Sequence, residues 1–155
     1  MDALLFACWE SPVGLMEIGC SAVGLAALNF VERPRHPVSA APILTDAAEQ
    51  IAAYFAGTLT SFDLPLDLRG TDFQRRVWAQ LLTVPFGQTA TYLDIALALG
   101  NPQAVRAVGA ANGQNPVSVV VPCHRIIGSD GKLIGYGGGL WRKEWLLRHE
   151  GSLLL

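Results

Sequence analysis

Apolar residues occur first in short runs and later in longer stripes. Residues 3–10, 13–20 and 25–31 are brief apolar stretches divided by Ser11-Pro12 and by Ser21-Ala22-Val23-Gly24, which predicts an antiparallel meander. A proline-rich connection follows over 33–42. Thr45-Asp46 then opens a segment with Ile51, Tyr54 and Phe55 at helical spacing, and Gly57 stands where a left-handed residue ends a helix. Residues 61–69 alternate, with Phe62, Leu64, Leu66 and Leu68 on one side, and read as an extended linker. This divides the chain into an N-terminal α/β domain, 1–68, and a C-terminal domain, 69–155.

The C-terminal part has the longer period. Thr71-Asp72-Phe73-Gln74 is a capping-box pattern opening a helix whose Phe73, Val77, Trp78, Leu81 and Leu82 form an apolar stripe ended by Pro85. Thr91 is the expected N-cap of a helix through Ile95 and Leu99, stopped by Gly100. Asn101 caps another helix with Pro102 at its first position. Two short helices around Gly100-Asn101 predict a helix-turn-helix, whose second helix ordinarily meets DNA. That helix, from Gln103 through Arg106-Ala107 to Asn112, carries few long polar side chains, so it suits close approach without reading sequence. The structural alternative is an αα-hairpin packed through its alanines. Residues 140–149 read as a last helix with Trp141, Trp145 and Leu146-Leu147 apolar, and Gly151 as its stop.

Between these helices lies the stretch with candidate chemistry. Val119-Val120-Val121 predicts a buried strand that stops at Pro122 and presents Cys123 and His124. A free thiol with a pKa near ~8.5 is only a few per cent ionised at neutral pH, so a nucleophilic Cys123 needs help. His124 is adjacent, but neighbouring strand side chains face opposite ways, so it reaches the sulfur only through a turn or a bridging water. Without such help, Cys123 is a buried structural cysteine.

Net charge at pH 7 is −2, but it is unevenly distributed. Through Leu68 there are two basic and eight acidic residues, a net of −6, and from Arg69 onward nine basic and five acidic, a net of +4. A basic half carrying the thiol suits a one-sided, salt-sensitive contact with DNA. Three cysteines, Cys8, Cys20 and Cys123, leave one unpaired in any disulfide scheme and fit a reducing compartment. No apolar run approaches the ~20 residues of a membrane span, so a cytoplasmic protein without membrane contact is expected.

Pro122-Cys123-His124-Arg125 resembles the active-site signature of the O6-alkylguanine-DNA alkyltransferases. Asn115-Pro116, Arg106-Ala107-Val108-Gly109, the glycine run 135–139, Lys143-Glu144-Trp145-Leu146-Leu147 and Glu150-Gly151 stand at similar spacings, over roughly residues 54 to 151. The resemblance implies a small ribonuclease H-like sheet with a helix, then a mostly helical domain with a winged helix-turn-helix-like element. It implies repair of double-stranded DNA by a monomer. O6-alkylguanine, with O4-alkylthymine as a candidate second lesion, would leave the stack irrespective of sequence and lose its alkyl group irreversibly to Cys123.

Site residues follow from the resemblance in the same way. Cys123 would be the nucleophile and His124 its base through a water, with Glu150 orienting the imidazole and Asn115 bracing the turn. Tyr136 would line one wall of the pocket. The Gly137 N–H would face the substituted oxygen, and carbonyls near Cys123 and Ile126 would accept from the exocyclic amine. Thr91, Tyr92, Gln103, Arg106 and Ala107 would form the DNA-binding face, with Tyr92 pressing on the target phosphate. Arg106 would hold the space of the extruded nucleotide, or else contact a phosphate. Arg125 and Lys143 are left as ion-pair or phosphate partners. Some members of that family bind structural zinc near the N-terminus, but only Cys20 matches a ligand, so no metal and no cofactor are expected. Gly113 and Gln114 replace residues that are often basic in such proteins. A lesion sensor with tryptophan in place of the cysteine is one rival, and the presence of Cys123 speaks against it. A cysteine hydrolase is another, but it predicts no helix-turn-helix. A transcriptional role belongs to longer relatives with an additional metal-binding domain. The apolar tail 152–155 has no assigned role.

Overall fold

In the computed structural model, which describes residues 3–153, the three N-terminal apolar runs form strands β1 (Leu5–Ser11), β2 (Gly14–Cys20) and β3 (Leu25–Phe30). They pair antiparallel in the order β1-β2-β3, with Ser11 opposite Gly14 and Leu5 opposite Cys20. Both sheet edges are covered, which protects backbone groups that would otherwise template another chain. Val38 bridges Phe6 on one edge and Leu66 bridges Leu25 on the other. The linker is therefore a tethered edge: the Leu25 N–H donates to the Pro65 carbonyl and the Asp67 N–H to the Leu25 carbonyl. Gly24 permits that approach, since a Cβ there would stand 2.7 Å from the Leu66 carbonyl carbon.

Helix α1 (Pro42–Phe55) packs on β1 and β2 through Leu44, Ala47, Ile51, Tyr54 and Phe55. It begins one turn before Thr45-Asp46. Pro42 occupies the first turn, where a missing N–H costs nothing, and the Thr45 hydroxyl donates within the helix to the Ala41 carbonyl. Its end is the expected one, with Gly57 at a φ of +82°.

This first unit ends at Arg69, and a second begins at Gly70. Helix α2 (Asp72–Leu81) opens with the reciprocal capping box of Thr71 and Gln74. Val77, Trp78 and Leu81 are buried while Leu82 is exposed, so the stripe is narrower than the sequence pattern. The Trp78 indole donates to the Ala111 carbonyl at 2.8 Å and ties α2 to the helix carrying Ala111. Helix α3 (Tyr92–Ala98) is capped by Thr91 and Asp94 and stopped by Gly100. The Asn101 side chain then caps a 3-10 turn, Pro102–Ala104, that runs into α4 (Val105–Gly113). Helices α3 and α4 pack together as the predicted helix-turn-helix. Strand β4 (Ala90–Thr91) pairs parallel with β5 (Ile126–Ile127), and α5 (Leu140–His149) closes the unit, with Gly151 at a φ of +77°.

Residues 119–121 form a turn, not the predicted strand. All three valines are buried, so the apolar run encodes burial. Their backbone groups bond locally, Val121 N–H to the Val117 carbonyl and Cys123 N–H to the Val121 carbonyl. Val119 has a φ of 72°, a strained conformation for a β-branched residue. Trp141 also departs from the apolar stripe. It is 56 % exposed, with its indole beside Gly139 and 4.5 Å from the Arg142 guanidinium.

Among the described residues no helix is long and apolar enough to cross a membrane, and no cluster of three or more His, Cys, Asp or Glu is placed to hold a metal. Cys8, Cys20 and Cys123 are free thiols. Leu154 and Leu155, half of the unassigned tail, lie outside the described residues. Trp78→Phe, which removes the buried bond to Ala111, is expected to lower stability by about 1–3 kcal/mol in urea unfolding.

Candidate active site

Cys123 opens a 3-10 turn, Cys123–Arg125, wedged between the valine turn and β5. Pro122 supplies no backbone donor, and the Arg125 N–H closes the turn on the Pro122 carbonyl. Cys123, His124 and Arg125 are all buried. Asn115 holds the preceding turn from both sides: its Nδ2 donates to the Val121 carbonyl at 2.8 Å and its Oδ1 accepts the Val117 N–H at 3.0 Å. Burial dominates and pushes the Cys123 thiol up, against smaller opposing influences from Asn115 and Lys143. The resting group is a thiol.

A buried carboxylate lies at the end of α5. Glu150 Oε2 meets His124 Nε2 at 2.8 Å and Arg125 Nη2 at 3.0 Å, while its Oε1 accepts from Arg125 Nε at 2.8 Å. Arg125 Nη1 adds a bond to the Val84 carbonyl. Burial alone would raise the Glu150 carboxyl, but hydrogen bonds from His124 and Arg125, with the Arg125 charge, outweigh it and hold it at about 2. Burial lowers the His124 pKa, against the pull of Glu150, so the imidazole rests neutral. Its Nε2 is committed to Glu150, and its Nδ1 has no partner among the described residues. The sequence left Arg125 undecided, and the structure makes it the second ligand of this carboxylate.

Lys143 is a fully buried cation. Its ammonium donates to the carbonyls of Ile126, Ile134 and Gly135, which fastens the glycine-rich segment to β5. Burial lowers its pKa to about 8, with Cys123 acting in the opposite sense. The sequence offered an ion pair or a phosphate contact, but this residue uses its three donors on main-chain oxygens. The Tyr92 hydroxyl donates to the Ile134 carbonyl at 2.9 Å, and its ring lies 5.9 Å from the Lys143 ammonium. Burial pushes the phenols of Tyr92 and Tyr136 up, and the Cys123 sulfur adds to both shifts. The Tyr136 hydroxyl is buried and makes no hydrogen bond of ordinary geometry among the described residues.

The remaining expected residues separate into two groups. Ile126 is fully buried beside the turn, and Gly137 is exposed, with Gly113 the nearest backbone to it. Gln103, Arg106 and Ala107 are exposed on the second element of the helix-turn-helix, with Thr91 half-buried at the cap of α3. Asn112 was missed. It is 4 % exposed on α4, and its Nδ2 donates to the Cys123 carbonyl at 3.4 Å. A polar residue following Val108 and Ala111 on an otherwise apolar face was its only signal.

A shielded thiol beside a neutral imidazole and its carboxylate, behind a helix-turn-helix, defines a protein whose chemistry rests on one cysteine. Family models give that class a name. Residues 4–68 match the ribonuclease-like domain and residues 72–152 the DNA-binding domain of 6-O-methylguanine DNA methyltransferase. The chain belongs to this family. A methylated-DNA--protein-cysteine methyltransferase of Mycolicibacterium paratuberculosis is 50% identical over 146 residues, covering 91% of this chain and 88% of that protein. One from Methanosarcina barkeri is 47% identical, covering 91% and 93%. The Mycobacterium tuberculosis O6-methylguanine methyltransferase superposes with a TM-score of 0.87 at 47% identity, covering 97% and 94%. A crystal structure of the M. tuberculosis protein in complex with DNA matches at 0.87 and 49% identity, covering 95% and 92%.

Glu150→Gln removes the anion that both His124 and Arg125 require, with an expected loss of about 3–5 kcal/mol in urea unfolding at pH 7. The lowered carboxyl contributes about 3 kcal/mol that is fully present above the ordinary Glu pKa and lost as pH falls toward 2. His124, with its own pKa lowered, adds to the acid loss from below the ordinary imidazole range. Stability curves of the native protein between pH 7 and pH 3 should therefore fall more steeply than those of Glu150→Gln.

Proposed function

We propose that this protein repairs double-stranded DNA by taking the alkyl group of O6-alkylguanine onto Cys123, acting as a cytoplasmic monomer and without sequence preference. The observation that supports this most is the pairing of a buried Cys123 with a neutral His124 whose Nδ1 has no partner among the described residues. A base extruded from the duplex enters from the helix-turn-helix side. Arg106, exposed amid small residues on α4, holds the vacated stack, and Gln103, Ala107, Thr91 and Tyr92 line the backbone approach. The domain of residues 69–155 performs the chemistry, while the α/β domain of 1–68 has no catalytic part.

In the transfer step the Cys123 thiol gives its proton through a water to His124, whose imidazolium Glu150 stabilises. The sulfur–carbon bond forms as the O6–carbon bond breaks, and the proton returns to the base, which leaves as guanine. Asn115 keeps the nucleophile in place. The product thioether has no chemistry in this site to cleave it, so each molecule acts once.

Intact-protein mass spectrometry after incubation with a duplex carrying one O6-methylguanine tests site and stoichiometry. One methylene's mass is expected on Cys123, at one per molecule, and none on Cys123→Ala. Unchanged mass with retained lesion binding would favour a sensor, and turnover at substoichiometric protein would refute single use. Arg106→Ala is expected to slow transfer from duplex DNA about tenfold or more, because unstacking is then uncompensated. Transfer from free O6-benzylguanine should be unchanged.

A further inference from the structure

The ion pair of Glu150 and Arg125 has a second layer behind it. Arg125 is 7 % exposed, and its donors meet Glu150 on one side and the Val84 carbonyl, at 2.7 Å, on another. Phe86, two residues past Val84, lies against the same guanidinium, with the Arg125 Cζ 5.9 Å from the centre of its ring. A delocalised cation is drawn to an aromatic face, and the attraction strengthens where water is excluded. The turn after α2 therefore holds Arg125 twice, once through a carbonyl and once through a ring.

Phe86 is itself only half-buried, and helix α5 gives its ring a backing. The His149 imidazole meets the Phe86 ring at 6.4 Å and 80°, and it stacks on Trp145 at 5.1 Å and 14°. Trp145 and His149 are four residues apart, which places both on one face of α5. Glu150, buried, follows His149 directly. Gly87 brings the turn close to it: its φ is +83°, and a Cβ there would stand 3.3 Å from the Glu150 main-chain oxygen. The contacts thus form a circuit, from Glu150 to Arg125, Phe86 and His149 and back along α5 to Glu150.

His124 senses this circuit through the carboxylate. Glu150 Oε2 is shared between His124 Nε2 and Arg125 Nη2. Of the charged groups acting on the imidazole, Glu150 raises its pKa, whereas Arg125 and Lys143 lower it in the same sense as burial. Helix α2, also packed on the Cys123–Arg125 turn, buries the apolar Val77, Trp78 and Leu81. Resting on the alkyl-transfer reading above, we propose that Phe86 and His149 are positioning residues for the transfer, which press the Arg125 guanidinium onto Glu150 and keep the carboxylate shared between Arg125 and His124. An aliphatic side chain at either place fills space without offering a ring, so the guanidinium loosens. Glu150 then acts more fully on His124 and the opposing Arg125 charge weakens. Both changes favour the imidazolium, so the base is lost at a higher pH.

Single-turnover methyl transfer to Cys123 from an O6-methylguanine duplex, followed between about pH 4 and pH 8, reads the His124 base on its acid limb. Phe86→Leu and His149→Leu are each expected to move that limb up by about half a pH unit, or about threefold slower transfer at the acid end, with less than about twofold change on the plateau. Phe86→Tyr and His149→Phe, which keep the rings, should restore the native limb. NMR titration of the imidazoles without DNA should show His124 protonating at a correspondingly higher pH in the leucine variants. A native limb in both leucine variants, or equal slowing at every pH, would leave the two rings as packing alone and overturn the assignment. So would a limb that moves equally in Phe86→Tyr. An unmoved His124 titration would refute the assignment whatever the transfer shows, whereas a native protein that methylates Cys123 at no pH would refute the transfer reading, and the positioning role with it.

Discussion

One carboxylate governs the arrangement of the active site. Glu150 is buried, and a buried anion persists only where its lone pairs are met by donors. Arg125 supplies two and His124 one, from adjacent positions of a single 3-10 turn. The carboxylate therefore fixes the turn that carries Cys123 to the last turn of α5, and it sets the imidazole's orientation. It also decides which imidazole nitrogen remains for the thiol side. The same ion cluster thus ties the stability of the turn to the orientation of its imidazole.

The turn before Cys123 is held by different means. Val119 adopts a left-handed backbone that its side chain disfavours, at about 1–3 kcal/mol. Burial of three valines and the two bonds of the Asn115 amide keep it there. The consequence is a Cys123 thiol on an over-determined main chain with little freedom to move. Lys143 performs a similar service on the facing segment, where three carbonyls take up its three donors and anchor an otherwise glycine-rich loop.

The resting electrostatics suit a protein that must wait. Burial keeps the thiol protonated, the imidazole neutral and the phenols of Tyr92 and Tyr136 un-ionised. Lys143, with a pKa of about 8, is the cation closest in effect to the sulfur. A thiol, rather than a thiolate, is the weaker nucleophile, so the resting site has little intrinsic reactivity. A single-use protein gains from that restraint, since every stray reaction would remove a molecule.

The sequence by itself determined the local elements and the chemical residue types. The capping box at Thr71, the N-cap at Thr91, left-handed stops at Gly57, Gly100 and Gly151, and the alternation of the linker are short-range signals, and the chain obeys them. Cys123, His124 and Glu150 were legible because a motif names them together. Only the tertiary structure decided what long-range contacts control. The valine run reads equally as a strand or as a buried turn, since hydrophobicity reports burial and not backbone path. Arg125 and Lys143 look like surface cations until the fold encloses them, one against a carboxylate and one against carbonyls. Asn112 carried almost no signal, because a buried amide acquires its meaning from the carbonyl it meets, eleven residues further along the chain.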